Sequence, residues 1–166
     1  PSSHWTALSR VVVHATGPGV TDIYRGDELW SYLLVDPDNR RPVGWERRCT
    51  LLDQLDTNVA KNDNLQDVPW PDPASDSVKL EVTTRLLRAR RTHSDLFAWG
   101  TYRPLPLGGE RCQHAFAFIR SHYDTHALVV VSRWLSRLGS DDRTSSATWG
   151  NITLELPVDC RGRTWM

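Results

Sequence analysis

The chain has 166 residues, 39% of them apolar and 24% charged, with 20 Lys plus Arg set against 20 Asp plus Glu. That composition suits one or two small folded domains and excludes an intrinsically disordered chain. A net charge of zero supplies no global field for nucleic acid or an anionic membrane, and no apolar run approaches the roughly 18 residues of a membrane span.

Residues 4–16 place Trp5, Leu8, Val12 and Ala15 at helical spacing, and Gly17, Pro18 and Gly19 then stop the helix. Residues 19–24, GVTDIY, read as a short strand. Residues 25–45 read as a long polar loop, where Pro37 and Pro42 prevent regular structure. Here Asp22, Asp27, Glu28, Asp36 and Asp38 crowd against Arg25, Arg40 and Arg41, either as a solvated loop or as the rim of a polar site. Helix, tight turn, short strand and loop is the rhythm of one α/β unit.

From Trp45 the helical period returns, with Trp45, Cys49, Leu52 and Leu55 on one face. Residues 57–76, rich in Asn, Asp and Pro, read as an irregular surface excursion. Ser77 is expected to cap a helix running to Arg91, with Val78, Val82, Leu86 and Ala89 on one face. Arg85, Arg88, Arg90 and Arg91 crowd its C-terminal half, where the helix dipole favours cations.

After Leu96 the period changes from helix to strand. Residues 100–107 read as extended, broken by Pro104 and Pro106. Residues 114–120 alternate, with Phe116 and Phe118 on one face, residues 126–132 form a second strand, and residues 151–156 alternate again. Gly108 and Gly109 read as a hairpin turn between β segments. The whole is an antiparallel β region of roughly 65 residues. The α/β unit before it has a physical shortfall. One βα unit cannot close a parallel sheet or bury both of its faces, so the first half needs partner strands that it does not contain.

Few residues signal chemistry by spacing. Cys49, Cys112 and Cys160 are odd in number and far apart, which supports neither a zinc site nor a disulfide framework and makes a reduced, cytoplasmic compartment the default. The sequence starts at Pro1 and shows no signal-peptide pattern. The six histidines lack ligand spacing, and no glycine-rich phosphate loop occurs. No metal and no cofactor is expected. The eight tryptophans suit packing at the core and at domain junctions, or else a platform for sugar rings.

Two stretches carry a resemblance. GPGVTDIYRGDELW, residues 17–30, resembles the eighth-strand motif of the α-amylase superfamily, a G-x-P-x-I-Y-x-G-x-E pattern that ends the last barrel strand. LVDPDNRRPVGWERR, residues 34–48, resembles the maltooligosyltrehalose synthase family more narrowly. Residues 77–120, through LFAWGTYRPLPLGGER, are similar to that family's last barrel helix and its entry into a C-terminal β domain. Thr21, Arg25, Asp27 and Gly44 depart from the family pattern.

The resemblance implies an α/β plus all-β fold: residues 1–96 as the C-terminal end of a (β/α)8 barrel, and residues 97–166 as a small antiparallel β-sandwich. It implies an enzyme that rearranges the reducing-end α-1,4 bond of a maltooligosaccharide to an α,α-1,1 bond in trehalose biosynthesis. The family's three catalytic carboxylates sit on earlier barrel strands, so no residue of this chain is assigned a catalytic role, and the chain alone is expected to be inactive. Asp36, Asp38, Asn39, Arg40 and Arg41 are the implied substrate-binding residues, with Tyr24, Asp27 and Glu28 supporting the pocket. Tyr24 is expected beneath the pocket and Glu28 as a brace of the loop. The implied partners are a maltooligosaccharide or starch-derived glucan and the rest of the barrel upstream, without nucleic acid or membrane. The alternatives are the tail of another α-amylase-superfamily glycosidase and a stand-alone carbohydrate-binding module.

Overall fold

Helix α1 (Ser2–Thr16) buries Leu8 and Ala15 and ends as Gly17 N donates to Val13 O at 2.8 Å. A computed structural model provides the coordinates and describes residues 2–32, 40–59, 72–138 and 146–161. Helix α2 (Trp45–Val59) follows, then α3 (Asp76–Thr92) and the short α4 (Ser94–Trp99). Helix α3 packs against both α1 and α2, and buries Val78, Leu80 and Thr83 together with Lys79.

Helix α3 starts one residue before the expected cap. Its N-cap is Ser75, whose Oγ lies 2.8 Å from Ser77 Oγ and makes no capping bond to the backbone. Three of the four arginines of its second half have local structural partners. Arg85 pairs with Glu81 at 2.6 Å, Arg88 grips both carboxylate oxygens of Asp56 on α2, and Arg90 donates to Ala15 O at 2.7 Å. The expected apolar face of α2 is not buried: Trp45 and Cys49 are exposed, and Leu52 and Leu55 are half-buried. Ion pairs, Arg88 with Asp56 and Arg47 with Asp76, hold α2 to α3 instead.

Strands β1 (Thr101–Leu105), β3 (Ala115–His122) and β4 (Thr125–Ser132) form an antiparallel sheet in the order β1-β3-β4. Thr101 stands opposite Ser121, and His122 opposite Thr125. The tight turn of this sheet is therefore Tyr123-Asp124, with Tyr123 at φ 50°. Gly108 and Gly109 are not a hairpin. The two-residue strand β2 (Leu107–Gly108) pairs with β5 (Thr153–Leu154), far away in sequence. Gly109, at φ +97°, turns the chain into the 3₁₀ turn Cys112–His114, and a Cβ there would overlap the Asn151 carbonyl. Strand β5 is also shorter than the alternation over residues 151–156 suggests. Among the described residues, only its stretch opposite β2 finds a ladder partner.

Strand β3 is buried on both faces. Phe118 is 0% exposed and Ile119 1%, and each such burial stabilises by roughly 1.5–3 kcal/mol. Ile119 packs with Leu105, Ala117 and Cys160, and Leu107 and Leu154 lie against that cluster. Phe118 faces the other way, toward Tyr102 and Phe116 at ring distances of 5.0 and 5.7 Å.

Beside Phe118 on that face, Arg120 is 1% exposed. Its guanidinium donates to Thr101 O at 3.1 Å, Thr16 O at 3.0 Å, Leu96 O at 3.3 Å, Phe97 O at 3.1 Å and Gly100 O at 2.9 Å. These carbonyls close the C-terminal ends of α1 and α4 and the start of β1. One cation thus gathers the acceptors at two helix ends in the interior. Burial, and then the nearby charge of Arg90, pull its pKa down from the usual arginine value.

The expected strand at residues 19–24 does not form, and the segment has no regular secondary structure. A strand exists only through a ladder, and among the described residues no strand pairs with this segment.

Candidate functional site

The polar loop at residues 25–45 rests on a braced turn. Gly26 sits at φ +93°, and a Cβ there would come 3.0 Å from a methyl of Val43, so the two ends of the loop touch. Arg48, in the first turn of α2, ties them together. It donates to the Glu28 carboxylate at 2.9 Å, to Gly26 O at 2.5 Å and to Gly44 O at 3.1 Å. The Gly26 amide donates to Glu28 Oε1 at 3.4 Å. Burial pushes the Glu28 pKa up, but the Arg48 hydrogen bond, backbone amides and the Arg48 charge outweigh it, leaving the carboxyl below its ordinary range. Glu28 is thus held ionised and is unsuited to act as a general acid near neutral pH.

A second brace comes from α3. Lys79 Nζ donates to Asp27 Oδ1 at 2.9 Å and to Leu29 O at 3.3 Å, and lies 5.3 Å from the Trp30 ring centre. The lysine side chain is 8% exposed, whereas Asp27 is 54% exposed. Trp30 Nε1 donates to Ser75 O at 3.1 Å, which ties the turn to the N-terminus of α3. The His4 ring stands edge-on to Trp30 at 4.8 Å, with its Nε2 2.8 Å from Tyr32 Oη.

Asp27 and Glu28 therefore each meet a cation, Lys79 and Arg48. Tyr24 is 62% exposed and is not packed beneath anything among the described residues. Arg40 and Arg41 are exposed at the far end of the loop, and neither is without an interaction partner. Asp36, Asp38 and Asn39 lie outside the described residues.

Lys79 and Arg48 are the two bracing residues that sequence reasoning missed. For Lys79 a signal was present: it is one of two lysines against eighteen arginines, and it stands between apolar Val78 and Leu80. A lone lysine on an otherwise core-facing helical turn points to a buried partner. Among the described residues no cluster of His, Cys, Asp and Glu could hold a metal ion, and no helix is long and apolar enough to cross a membrane.

The turn lies on an open groove of about 1030 Å³ that runs along α1, with residues 22–31 on one side and the end of β4 on the other. The site offers hydrogen-bonding groups on a fixed base. Among its described residues it holds no nucleophile–base pair and no pair of unengaged carboxylates.

No family model matches the chain. Two curated relatives from Mycobacterium tuberculosis, strains CDC 1551 / Oshkosh and ATCC 25618 / H37Rv, are each named putative maltooligosyl trehalose synthase. Each is 35% identical over 151 residues, which is 91% of this chain and 16% of the relative. The solved maltooligosyltrehalose synthase of Arthrobacter ramosus superposes with a TM-score of 0.70 at 29% identity, over 93% of this chain and 18% of that one. A second solved maltooligosyl trehalose synthase gives 0.57 at 25% identity, over 78% of this chain and 16% of that one. The chain is thus homologous to proteins of that name and spans about one-sixth of their length.

Proposed function

We propose that this chain is the C-terminal portion of a maltooligosyltrehalose synthase, which rearranges the reducing-end α-1,4 bond of a maltooligosaccharide to an α,α-1,1 bond. The observation that carries the reading is that sequence relatives and solved structures agree on one name across nearly the whole chain. Residues 1–96 are then the end of the catalytic barrel and residues 97–166 a β-sandwich domain, working in the cytoplasm on a starch-derived glucan.

The reaction retains the α configuration, so it needs a carboxylate nucleophile and a carboxylic acid about 5 Å apart. Both come from polypeptide outside this chain, which alone is inactive. The chain's contribution is the loop. Asp36, Asp38 and Asn39 offer acceptors, and Arg40 and Arg41 forked donors, to the hydroxyls of the reducing-end glucose. Tyr24, Asp27 and Glu28 support that loop from below. The ion pairs Glu28–Arg48 and Asp27–Lys79 favour this division of labour, because side chains engaged in bracing are poor candidates for sugar contacts.

The test is the complete enzyme on a maltooligosaccharide. Reducing ends should disappear without shortening of the glucan, and release of glucose or maltose instead refutes the reading. In the same assay Asp38→Ala and Arg40→Ala should each raise KM about tenfold, the value of one hydrogen bond to a charged group. An unchanged KM and unchanged rearrangement would sink the contact assignment.

A further inference from the structure

The residues after α1 are folded back on the helix that they leave. Gly17 N donates to Val13 O at 2.8 Å, His14 Nε2 lies 2.7 Å from Asp22 O, and Thr21 Oγ1 donates to His14 O at 3.3 Å. Two arginines from distant elements pin this return. Arg90 of α3 donates to Ala15 O at 2.7 Å and to Gly19 O at 3.3 Å, so it spans the helix end and the chain beyond it. Arg120 of β3 donates to Thr16 O at 3.0 Å, between those two positions. Both guanidiniums stand by the buried Phe97 ring, 5.1 and 6.0 Å from its centre. Among the described residues every hydrogen bond of the two goes to a main-chain oxygen. They therefore fix backbone rather than pair with a carboxylate, at a helix C-terminus whose carbonyls favour cations. From Gly19 the chain runs on to the turn that Arg48 and Lys79 brace between Gly26 and Leu29. The near end of the stem is held by Arg90 and Arg120.

We infer that Arg90 and Arg120 are positioning residues for the substrate loop: they fix the stem, residues 17–25, from which that loop starts, so that α3 and β3 set where the loop stands. The inference rests on the proposed function and deepens it, by naming residues outside the loop that decide how firmly the loop holds its sugar. Arg120, being buried, acts on the sugar only through the main chain. The products make that hold visible. When the α-1,4 bond breaks, the glycosyl carbon passes to the carboxylate nucleophile and the freed glucose takes the acid's proton on its O4. The α,α-1,1 bond forms when the O1 hydroxyl of that same glucose attacks the glycosyl carbon, displaces the nucleophile and returns a proton to the acid group. If the glucose leaves first, water attacks in the same way, and the products are free glucose and a shortened glucan.

The experiment measures free glucose against maltooligosyl trehalose formed by the complete enzyme on a maltooligosaccharide. The parent is compared with Arg90→Met, Arg120→Lys and a control, Arg85→Met, which loses only an ion pair to Glu81 within α3. Misplacing a bound reactant by about 1 Å costs up to about a hundredfold in rate, so Arg90→Met and Arg120→Lys should each raise the glucose ratio at least about threefold. Arg85→Met should keep the parent's ratio. Loss of folded enzyme lowers both products in proportion, so destabilisation alone does not move this readout. If Arg120→Lys yields no folded enzyme, Arg90→Met, whose side chain is less buried, decides. An unchanged ratio in a folded arginine variant overturns the assignment of that residue, whatever happens to its rate. An equal rise in Arg85→Met overturns the inference as a whole, because any disturbance of α3 would then suffice. A parent that forms no maltooligosyl trehalose refutes the functional reading, and the inference with it, before any variant is made.

Discussion

Replacing Arg120 with methionine removes a buried cation and the donors for five main-chain oxygens, those of Thr16, Leu96, Phe97, Gly100 and Thr101. Leu96 O keeps one partner, the Gly100 amide at 3.0 Å. Counting only the other four carbonyls, the lost Arg120 bonds at about 1.5 kcal/mol each come to roughly 6 kcal/mol in total. Against this stands the cost of keeping a guanidinium out of water, several kcal/mol, which methionine recovers. Taking about 3 kcal/mol for that term leaves Arg120→Met destabilised by about 3 kcal/mol. Thermal unfolding should then shift down by roughly 6–12 °C for a chain of this size. Arg120→Lys keeps the charge but has three donors on one nitrogen, so it should fall between the two. Urea unfolding followed by circular dichroism reads the effect as a change in midpoint at constant slope. A methionine variant as stable as the parent would refute the reasoning, because desolvation would then outweigh the hydrogen bonds at this junction.

Lys79→Met leaves Leu29 O without its buried donor and should cost about 1–3 kcal/mol; Asp27, being half in water, adds little to that. An unchanged urea midpoint would remove Lys79 from the bracing scheme. The Glu28 carboxyl titrates below its ordinary range when folded, so its contribution is complete above the unfolded carboxylate pKa of about 4.3 and is lost as pH falls through the folded value. Stability of Glu28→Gln should therefore decline less steeply in acid than that of the parent, and parallel acid profiles would contradict the assignment. Gly109→Ala forces a side chain into φ +97° and against the Asn151 carbonyl, at a cost of about 1–3 kcal/mol. Its midpoint should drop accordingly, and no drop would mean that the β2–β5 pairing can shift to make room.

The sequence by itself determined the elements whose signal is local. The spacing of Leu8, Val12 and Ala15 and the Gly17–Gly19 stop specify α1, Val78 to Ala89 specify α3, and the alternation around Phe116 and Phe118 specifies β3. Each follows from periodicity within a few turns of one element. The motif residues of the loop were singled out by resemblance, which reads residue types directly; Asp36, Asp38 and Asn39 lie outside the described residues.

What required the tertiary structure was every feature made by two distant segments. Residues 19–24 carry strand-forming residues yet form no strand, since the hydrogen bonds of a strand belong to its neighbour. Gly108-Gly109 looks like a hairpin, yet Gly108 pairs across to Thr153. Alternation puts Arg120 on the same face as Phe116 and Phe118, but nothing in it says what could satisfy a cation there. The structure buries it because α1 and α4 both end over that point with carbonyls that only a forked donor can reach together. Lys79 and Arg48 likewise gain their roles as braces only once α2, α3 and the turn at residues 25–30 converge. Local patterns specify the pieces of this chain; which polar group ends up buried, and against what, depends on where those pieces meet.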